Sequence, residues 1–514
     1  MRAWRLAVGF GVLAALLARP GEGAGADPAV DAARAFRQAH GAEILRSFAE
    51  LLALPNVASD LPGIERNALF IREALAARGA RTELWRQDGV PPIVFGELPA
   101  PGAARTLGVY MHYDGQPVVA ADWAQDPWQP TLYDGALEAG GRPRPLPVPG
   151  EPIDPEWRLY GRGAGDDKAP LPAILAALDA LEAAGIPRTV NLKFFFEGEE
   201  EEGSGHLEAY MREHRERLDV DLWLVCDGPV HQSRRPQLVF GVRGITALDV
   251  TVYGASRYLH SGHYGNWSPN PALLLSQLLA SMKDADGDVV IAGFYDDTIP
   301  PGPAERAALA ALPAVEEGLL RELELAPGAT DGAGATLAER LLLPSLNVRG
   351  LVSGAVGAGA RNVIPTQAEA SLDVRLVKGN DPQRMLDVVE AHIASHGFHV
   401  VRETPDAATR RAHPRIAKVV REGGYPAART PLDAAAVQPA IAAARRVAGD
   451  ELILMPSLGG SLPLYLFADI LGSPVVIVPI ANHDDNQHAP NENLRLANLW
   501  YGIELMAALF TSGG

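Results

Sequence analysis

The amino-acid sequence predicts an α/β fold in which a doubly wound mixed sheet carries an inserted, smaller α+β domain. Up to about residue 225, helical stretches such as residues 64–78 alternate with short apolar strands such as TLGVYMH and DLWLVCD, which is typical of a doubly wound sheet. From Gly241 the stretch GVRGITALDVTVYG instead alternates as a half-exposed strand does. The apolar strand SPVVIVPI at residues 473–480 then returns to the first pattern.

The inserted domain is predicted from the order of its elements. After the strand near Gly241 come a helix at residues 271–282, strands in PSLNVRGLVSG and EASLDVRLVKG, a helix at residues 382–395 and the strand FHVVRE. This order, β-α-β-β-α-β, is a recurring compact unit. Because 514 residues exceed the size at which one core stops growing, we divide the chain into a sheet domain at 27–240 and 401–514 and an inserted domain at 241–400.

The N-terminus predicts an export signal in residues 1–26. Arginines flank the start of the apolar run LAVGFGVLAALLA, and Ala24, Gly25 and Ala26 suit cleavage before Asp27. An uncleaved membrane anchor is the alternative, although the run is short for a bilayer and no stop-transfer flank follows it. We therefore expect a protein exported to the periplasm or the exterior, without a membrane span once the signal is removed.

The charge balance argues against nucleic acid as a partner. The formal net charge is −18 at pH 7, and no run of lysine and arginine interrupts the acidic surface, which repels phosphate backbones and anionic membranes. We expect part of this negative charge to surround a cation site. Cys226 is the only cysteine, so no intrachain disulfide can form.

Metal-competent side chains follow four of the predicted strands. They are His112 and Asp114, the pair Glu200 and Glu201, Asp227, and the loop that ends at His488. In open α/β sheets, ligands bind outside the carboxyl ends of the strands, where segments distant in sequence converge. Four such strand ends together predict a cation site.

Each of these segments also has a simpler interpretation. The spacing of His112 and Asp114 puts both on one side of a strand, so that Asp114 could fix the tautomer of His112, but a satisfied core histidine fits as well. Asp166 could bridge two cations, and equally it could cap the following helix together with Asp167. The run of four glutamates, residues 199–202, is either a metal ligand beside a free base or a solvated loop.

Seven motifs in order, MHYDGQP, LYGRGAGDDK, EGEEEEGS, VCDGP, LHSGHYG, GGSLP and HAPNEN, give the chain a specific resemblance. It resembles the metallopeptidase family that includes carnosinase-like dipeptidases, glutamate carboxypeptidase, aminoacylase and succinyl-diaminopimelate desuccinylase. The resemblance implies that two divalent cations, Zn²⁺ or else Mn²⁺ or Co²⁺, share a hydroxide. It implies that Glu200 is the general base and that five residues are metal ligands: His112, Asp227, Glu201, His488 and the bridging Asp166.

The resemblance also implies groups that bind substrate. Arg375 and the loop Gly459, Gly460 and Ser461 would hold a free carboxylate, for which the planar guanidinium of arginine is suited. His260 would stabilise the oxyanion from the partner subunit of a homodimer formed by the inserted domain, and Asn362 would approach from the same side.

The leading hypothesis is an exopeptidase, either a dipeptidase or a carboxypeptidase, that acts on short peptides. An N-acyl-amino-acid amidohydrolase would use the same residues on an acylated substrate. A binding protein that has lost catalysis is a third hypothesis, which the intact set of expected ligands and base disfavours.

Overall fold

The structure is a computed structural model that describes residues 27–332 and 334–513, so the predicted export signal at residues 1–26 lies outside the described residues. The helices are α1 (Pro28–Leu52), α2 (Leu61–Ala76), α3 (Pro170–Ala183), α4 (Leu207–Glu213), α5 (Ser261–Tyr264), α6 (Pro271–Ala280), α7 (Pro303–Ala310), α8 (Glu316–Glu322), α9 (Leu337–Arg340), α10 (Pro382–Ser395), α11 (Ala407–Ala412), α12 (Gln438–Ala448) and α13 (Leu496–Phe510).

The strands are β1 (Arg81–Trp85), β2 (Ile93–Leu98), β3 (Thr106–His112), β4 (Thr131–Tyr133), β5 (Pro143–Arg144), β6 (Arg158–Tyr160), β7 (Asn191–Glu197), β8 (Leu222–Val225), β9 (Gln237–Val239), β10 (Gly241–Val242), β11 (Gly244–Tyr253), β12 (Leu259–His260), β13 (Ser345–Val352), β14 (Val363–Ile364), β15 (Gln367–Leu376), β16 (His399–Val401), β17 (Ile416–Arg421), β18 (Ala428–Arg429), β19 (Ile453–Met455), β20 (Val475–Ile477) and β21 (Asn493–Arg495).

The larger sheet has eight strands in the order β1-β2-β7-β3-β8-β20-β9-β19. Its centre is parallel, since β3 runs parallel to β7 and β8, and β20 runs parallel to β8. The pairs β1 with β2, β2 with β7, and β9 with β20 are antiparallel. The predicted mixed α/β fold class is confirmed. The carboxyl ends of β3, β7, β8 and β20 therefore lie along one edge of this sheet.

Both faces of the larger sheet are buried, which explains why its strands read as continuous apolar runs. In β7, Phe194 and Phe196 join the core beneath α1, α3 and α13. Phe195 points to the opposite face and packs there with Trp223. Neighbouring side chains of a strand alternate between faces, so the FFF run of β7 supplies both cores.

The smaller sheet has five strands in the order β13-β15-β11-β17-β16. One face packs on α6 and α10 through a separate apolar cluster. The elements β11, α6, β13, β15, α10 and β16 follow the predicted β-α-β-β-α-β order, and β17 is added between β11 and β16. Because β17 lies at residues 416–421, this sheet continues past residue 400. The division of the chain into domains at residues 240 and 400 stays a prediction.

Two segments connect the sheets. The ribbon of β10 and β18 lies where the chain passes from one sheet to the other. Residues 303–343, here called the strap, leave the smaller sheet after α6 and return to it at β13. The strap packs on the larger sheet, because α7 contacts β19, and Leu312 and Ala338 lie against the larger sheet's second apolar core. Within the described residues, no helix has both the length and the apolar character needed to cross a bilayer.

Candidate active site

The structure brings the five predicted metal ligands together at one edge of the larger sheet. His112 is the last residue of β3, Asp227 lies two residues after β8, and Glu201 lies in a 3₁₀ turn after β7. Asp166 lies in the loop between β6 and α3, and His488 lies in the loop between β20 and β21. These residues form two groups whose potential ligand atoms all lie within 4.8 Å of one another, and Asp166 belongs to both groups.

The first group consists of His112, Asp166 and Asp227, all of which are buried. Nε2 of His112 lies 2.9 Å from Oδ1 of Asp166 and 4.0 Å from Oδ2 of Asp227. An imidazole nitrogen with two carboxylate oxygens is a donor set that zinc-like cations bind.

The second group consists of Asp166, Glu201 and His488. Nε2 of His488 lies 3.1 Å from Oδ2 of Asp166 and 3.1 Å from Oε2 of Glu201. The two oxygens of Asp166 thus face different imidazoles, Oδ1 toward His112 and Oδ2 toward His488. A carboxylate in this position can bridge two cations.

The charges around these groups are strongly negative. Burial, together with the charges of Asp166 and Glu201, raises the pKa of the Asp227 carboxyl to about 6. Burial also raises the pKa of Glu200 to about 9, while hydrogen bonds to Asp166 and Glu201 raise the pKa of His488 to about 10. All three shifts favour the protonated form. Divalent cations would offset the same negative charge that these bound protons offset, so the residues of the two groups fit divalent metal ions.

Asp114 makes two sets of contacts in this geometry. Its Oδ1 lies 3.3 Å from Nδ1 of His112, on the side of the ring away from Asp166, as the spacing in the sequence predicts. Its carboxylate also accepts the backbone N–H groups of Glu200 at 3.1 Å and Glu201 at 3.0 Å. The sequence did not predict this second contact, which fixes the turn that carries Glu200 and Glu201.

Glu492 is an important residue that sequence reasoning missed. It is buried, and it accepts the backbone N–H groups of Gly163 at 3.0 Å, Gly165 at 2.8 Å and Asp166 at 2.9 Å. The guanidinium of Arg162 donates to it at 2.8 Å. Glu492 therefore holds the loop that carries Asp166, in which the Asp166–Asp167 peptide is cis. Its place in the HAPNEN motif was the one available signal.

Two glutamine side chains, also missed, hold the ligand carboxylates. Gln487 donates to Oδ2 of Asp166 at 2.9 Å, and Gln116 donates to Oε2 of Glu201 at 2.7 Å. Both residues lie in or next to quoted motifs, but the sequence gives no sign of their partners, which are 321 and 85 residues away.

The loop that carries His488 has an unusual backbone. His488 has φ of 60°, and Asn486 and Asn491 have φ of 60° and 63°. Left-handed conformation is uncommon for a residue other than glycine, least so for asparagine, and it concentrates at functional sites. The side chain of His488 is 54% exposed, so this residue forms the solvent side of the cluster.

The predicted carboxylate-binding residues also meet. Nη1 of Arg375, in β15, donates to Oγ of Ser461 at 2.9 Å. The backbone carbonyl of Gly460 accepts the N–H of Arg243 at 3.1 Å. Gly459 lies against the strap, since a Cβ there would be 3.0 Å from Leu341. Arg375 and the loop 459–461 therefore form one substructure at the junction of the two sheets.

His260 and Asn362 lie together, but apart from the ligand cluster. β12 and β14 pair His260 with Val363, and the N–H of Ser261 donates to the carbonyl of Asn362 at 3.0 Å. Both side chains are exposed. No hydrogen bond or ion pair in the described part of the chain joins them to the cluster.

Two sets of imidazole and carboxylate groups that share one aspartate, at the strand ends of a mixed α/β sheet, are what a metal-dependent hydrolase requires. Comparison with known proteins gives the class a name. The model of peptidase family M20/M25/M40 matches residues 108–512, and the chain belongs to this family. The prediction that the protein is a metallopeptidase or amide hydrolase is thereby confirmed.

Named relatives match over most of their length. The Cys-Gly metallodipeptidase dug1 of Schizosaccharomyces pombe is 27% identical over 482 residues, which are 90% of this chain and 94% of the relative. The human Beta-Ala-His dipeptidase is 28% identical over 455 residues, 85% of this chain and 82% of the relative. The M20 family metallo-carboxypeptidase Sso-CP2 of Sulfolobus solfataricus superimposes with a TM-score of 0.70 at 26% identity and covers 92% of this chain and 99% of that chain.

The prediction of an exported enzyme is wrong. Enzymes that match most of this chain, such as the fungal Cys-Gly metallodipeptidases, are cytosolic. The prediction depended on a short apolar run with small residues near Ala26, all outside the described residues. Such a compositional pattern carries little information compared with similarity across most of the chain.

Changing Glu492 to Gln should destabilise the protein. The glutamine amide would place a donor against backbone N–H groups and Arg162, so we expect the free energy of unfolding to fall by about 3 kcal/mol. Chemical denaturation of metal-free protein measures this change. The exposed Glu182→Gln is the control and should stay within about 0.5 kcal/mol of the unmodified protein. Equal stability of both variants would contradict the anchoring role of Glu492.

Proposed function

We propose that the protein is an exopeptidase, a dipeptidase or carboxypeptidase, that uses two divalent cations to hydrolyse short peptides with a free C-terminal carboxylate. The observation that carries the proposal is the position of Asp166, whose two oxygens face two separate imidazole–carboxylate groups. Two adjoining cation sites on one carboxylate are the arrangement that metal-assisted amide hydrolysis uses.

Each cation would have its own ligands. His112 and Asp227 would hold one cation, Glu201 and His488 would hold the other, and Asp166 would bridge them. Mixed imidazole and carboxylate donors suit Zn²⁺, and Mn²⁺ or Co²⁺ accept the same donors. When bound, the cations polarise the scissile carbonyl and acidify water.

Glu200 is the general base of this proposal. Its carboxylate takes a proton from the attacking water and delivers it to the nitrogen of the leaving amine. Asp114 supports this transfer, because it accepts the N–H groups of both Glu200 and Glu201 and so holds the base beside a ligand. Burial, together with neighbouring carboxylates, raises the pKa of Glu200, which favours a group that must keep a proton until the amine leaves.

Arg375 and Ser461 would bind the substrate's free carboxylate, with the backbone of Gly459 and Gly460 beside them. The guanidinium already donates to Ser461, and arginine pairs with carboxylates in two parallel hydrogen bonds. Relatives named as dipeptidases and a metallo-carboxypeptidase support an exopeptidase. The substrate of an N-acyl-amino-acid amidohydrolase would place its carboxylate on the same residues. The two functions therefore differ in the group that the enzyme accepts at the amino end of the substrate.

A substrate panel tests this proposal. Purified protein supplied with Zn²⁺, Mn²⁺ or Co²⁺ is incubated with dipeptides, their C-terminal amides and N-acetyl amino acids, and released amino acids are quantified. We expect hydrolysis of free-acid dipeptides. Release from N-acetyl amino acids alone would contradict the peptidase in favour of the amidohydrolase.

The same assay tests Glu200. Glu200→Gln should lower kcat by about 10²–10⁴-fold, as expected for loss of a general base. The exposed neighbour in Glu202→Gln is the matched control and should keep most of the activity. If Glu202→Gln were the inactive variant, the assignment of the base within the four-glutamate run would be wrong.

Metal content tests the bridging role of Asp166. After saturation with Zn²⁺ and removal of free metal, elemental analysis should find about two equivalents per chain in the unmodified protein, since two ligand groups are present. Asp166→Ala should lose both, because its carboxylate belongs to both groups, and His488→Ala should lose one. His483→Ala, in the same loop but in neither group, should keep both. An Asp166→Ala variant with two equivalents would contradict bridging.

We further propose a homodimer through the smaller sheet. β13 is an edge strand, and its outer half and the following turn expose large apolar side chains: Leu351 is 55% exposed, Val352 is 60% exposed and Val356 is 89% exposed. A long apolar edge strand is a template for pairing with another chain. In such a dimer, His260 and Asn362 of one subunit would complete the site of the other, which agrees with their separation from the cluster of their own chain.

Complementation tests the dimer. His260→Ala and Glu200→Gln are each expected to be inactive alone. If His260 acts across the interface, co-expressed chains should regain about a quarter of the unmodified activity, because half of the dimers are mixed and each has one complete site. Co-purified His260→Ala and Asp166→Ala chains allow the same comparison, with a predicted metal ligand changed in place of the base. Activity that stays at the level of the separate variants would contradict a shared site.

A further inference from the structure

Arg243 is a buried arginine between β10 and β11 that has no part in the chemistry proposed above; only 6% of its surface is exposed. We propose that Arg243 is a positioning residue that holds Ser461 and Arg375 at the spacing needed to bind the substrate carboxylate. This role rests on the proposed function of Arg375 and Ser461.

Arg243 connects three segments that are distant in sequence. Its backbone N–H donates to the carbonyl of Gly460 at 3.1 Å, next to Ser461. Its Nη2 donates to the carbonyl of Leu343, at the end of the strap, at 2.8 Å and to Oγ of Ser345, the first residue of β13, at 2.8 Å. One residue thus fixes the substrate loop, the strap and the edge strand relative to one another.

These contacts close a ring around the proposed carboxylate site. Ser345 lies directly opposite Arg375 in the pairing of β13 with β15. Arg375 donates to Ser461 at 2.9 Å, and Ser461 follows Gly460, which accepts from Arg243. Each side of the carboxylate site is therefore attached to Arg243, on one side through Gly460 and on the other through Ser345.

The strap packs against the outer side of the loop at residues 459–461. A Cβ at Gly459 would lie 3.0 Å from Cδ2 of Leu341, so the loop and the strap are in close contact. Because Arg243 holds Leu343 at the end of the strap, the position of Leu341 over Gly459 also depends on it. Without the guanidinium, the loop would lose both its tie to the edge strand and its outer support.

The charges at this junction favour one bound anion. Burial and the nearby charge of Arg375 lower the pKa of Arg243 to about 10, against the opposing charge of Asp373. Asp373 lies 3.5 Å from Nε of Arg375 and also accepts from Asn347 at 2.9 Å. Two guanidinium groups and one carboxylate leave a net positive charge, which a substrate with a single C-terminal carboxylate would neutralise.

Kinetics on matched substrates tests this role. For Arg243→Met, which keeps the length and burial of the side chain but removes its donors, we expect KM for a free-acid dipeptide to rise by about tenfold while kcat changes less than about threefold. The preference for the free acid over its C-terminal amide, taken as the ratio of kcat/KM values, should fall by about tenfold. Arg243→Lys should recover part of the preference, since it restores the charge but not the forked geometry.

Two further variants separate positioning from general stability. The guanidinium of Arg188 donates to the backbone carbonyls of Leu98, Pro99 and Val190 at the far end of the strands. Arg188→Met should therefore keep the acid preference whatever its effect on the unfolding temperature. Ser345→Ala removes one acceptor of Arg243 and should lower the preference less than Arg243→Met does, which keeps the test available if Arg243→Met does not fold.

The outcomes distinguish the two levels of the proposal. An unmodified enzyme that prefers the free acid, together with Arg243→Met and Ser345→Ala variants that keep this preference, would contradict the role of Arg243 alone. A fall in kcat alone, with the acid preference unchanged, would contradict it as well. An unmodified enzyme that hydrolyses amide and acid equally would contradict carboxylate recognition itself, and the role of Arg243 with it.

Discussion

The structure depends above all on holding several carboxylates together in a buried place. Asp114, Asp166, Asp167, Asp227 and Glu492 are all buried at one edge of the larger sheet. Their mutual repulsion would favour protonation or unfolding unless donors surround them. The protein meets this constraint largely with its own main chain: Glu492 accepts three backbone N–H groups and Asp114 accepts two. Asp114 and Glu492, which are not predicted ligands, therefore fix the loops that carry Glu201 and Asp166.

The arginine proposed to bind the substrate carboxylate lies on a different sheet from the ligand cluster. The ligand cluster belongs to the larger sheet, whereas Arg375 lies in β15 of the smaller sheet. In the proposed function, carboxylate recognition and metal-assisted hydrolysis would therefore lie on separate sheets, which the strap, the β10–β18 ribbon and Arg243 connect. The spacing between a scissile bond and a free carboxylate is fixed by the substrate, so under this proposal the contacts between the sheets would determine which peptide length fits.

Sequence patterns could predict the features that depend on local order. Apolar runs such as VNLKFFFE indicate strands buried on both faces, and the polar residues that follow them indicate the edge where His112, Glu201, Asp227 and His488 meet. The family resemblance separated Glu200 from Glu201, a distinction for which spacing alone has no signal. The fold class and the enzyme class followed from these two sources.

Features that depend on pairing across the chain could not be predicted in this way. Nothing in the HAPNEN motif indicates that Glu492 binds a loop more than 300 residues earlier, and GVRG does not indicate that Arg243 reaches Leu343. The strand β17 lies beyond the predicted boundary at residue 400 and yet belongs to the smaller sheet, because it pairs with β11, which lies far earlier in the chain. The expectation of export failed for a related reason, since it depended on one short segment judged alone.

The spread of the cluster along the chain has a consequence for biosynthesis. The ligand groups lie between His112 and His488, and β11 to β17 of the smaller sheet are made in between. The final helix, α13, then packs against α3, which directly follows the Asp166 loop. A nascent chain on the ribosome can present at most the His112, Asp166 and Asp227 group until the loop that carries His488 emerges. Loading of both proposed cation sites would therefore be a step of maturation that follows synthesis of the smaller sheet and of the loop that carries His488.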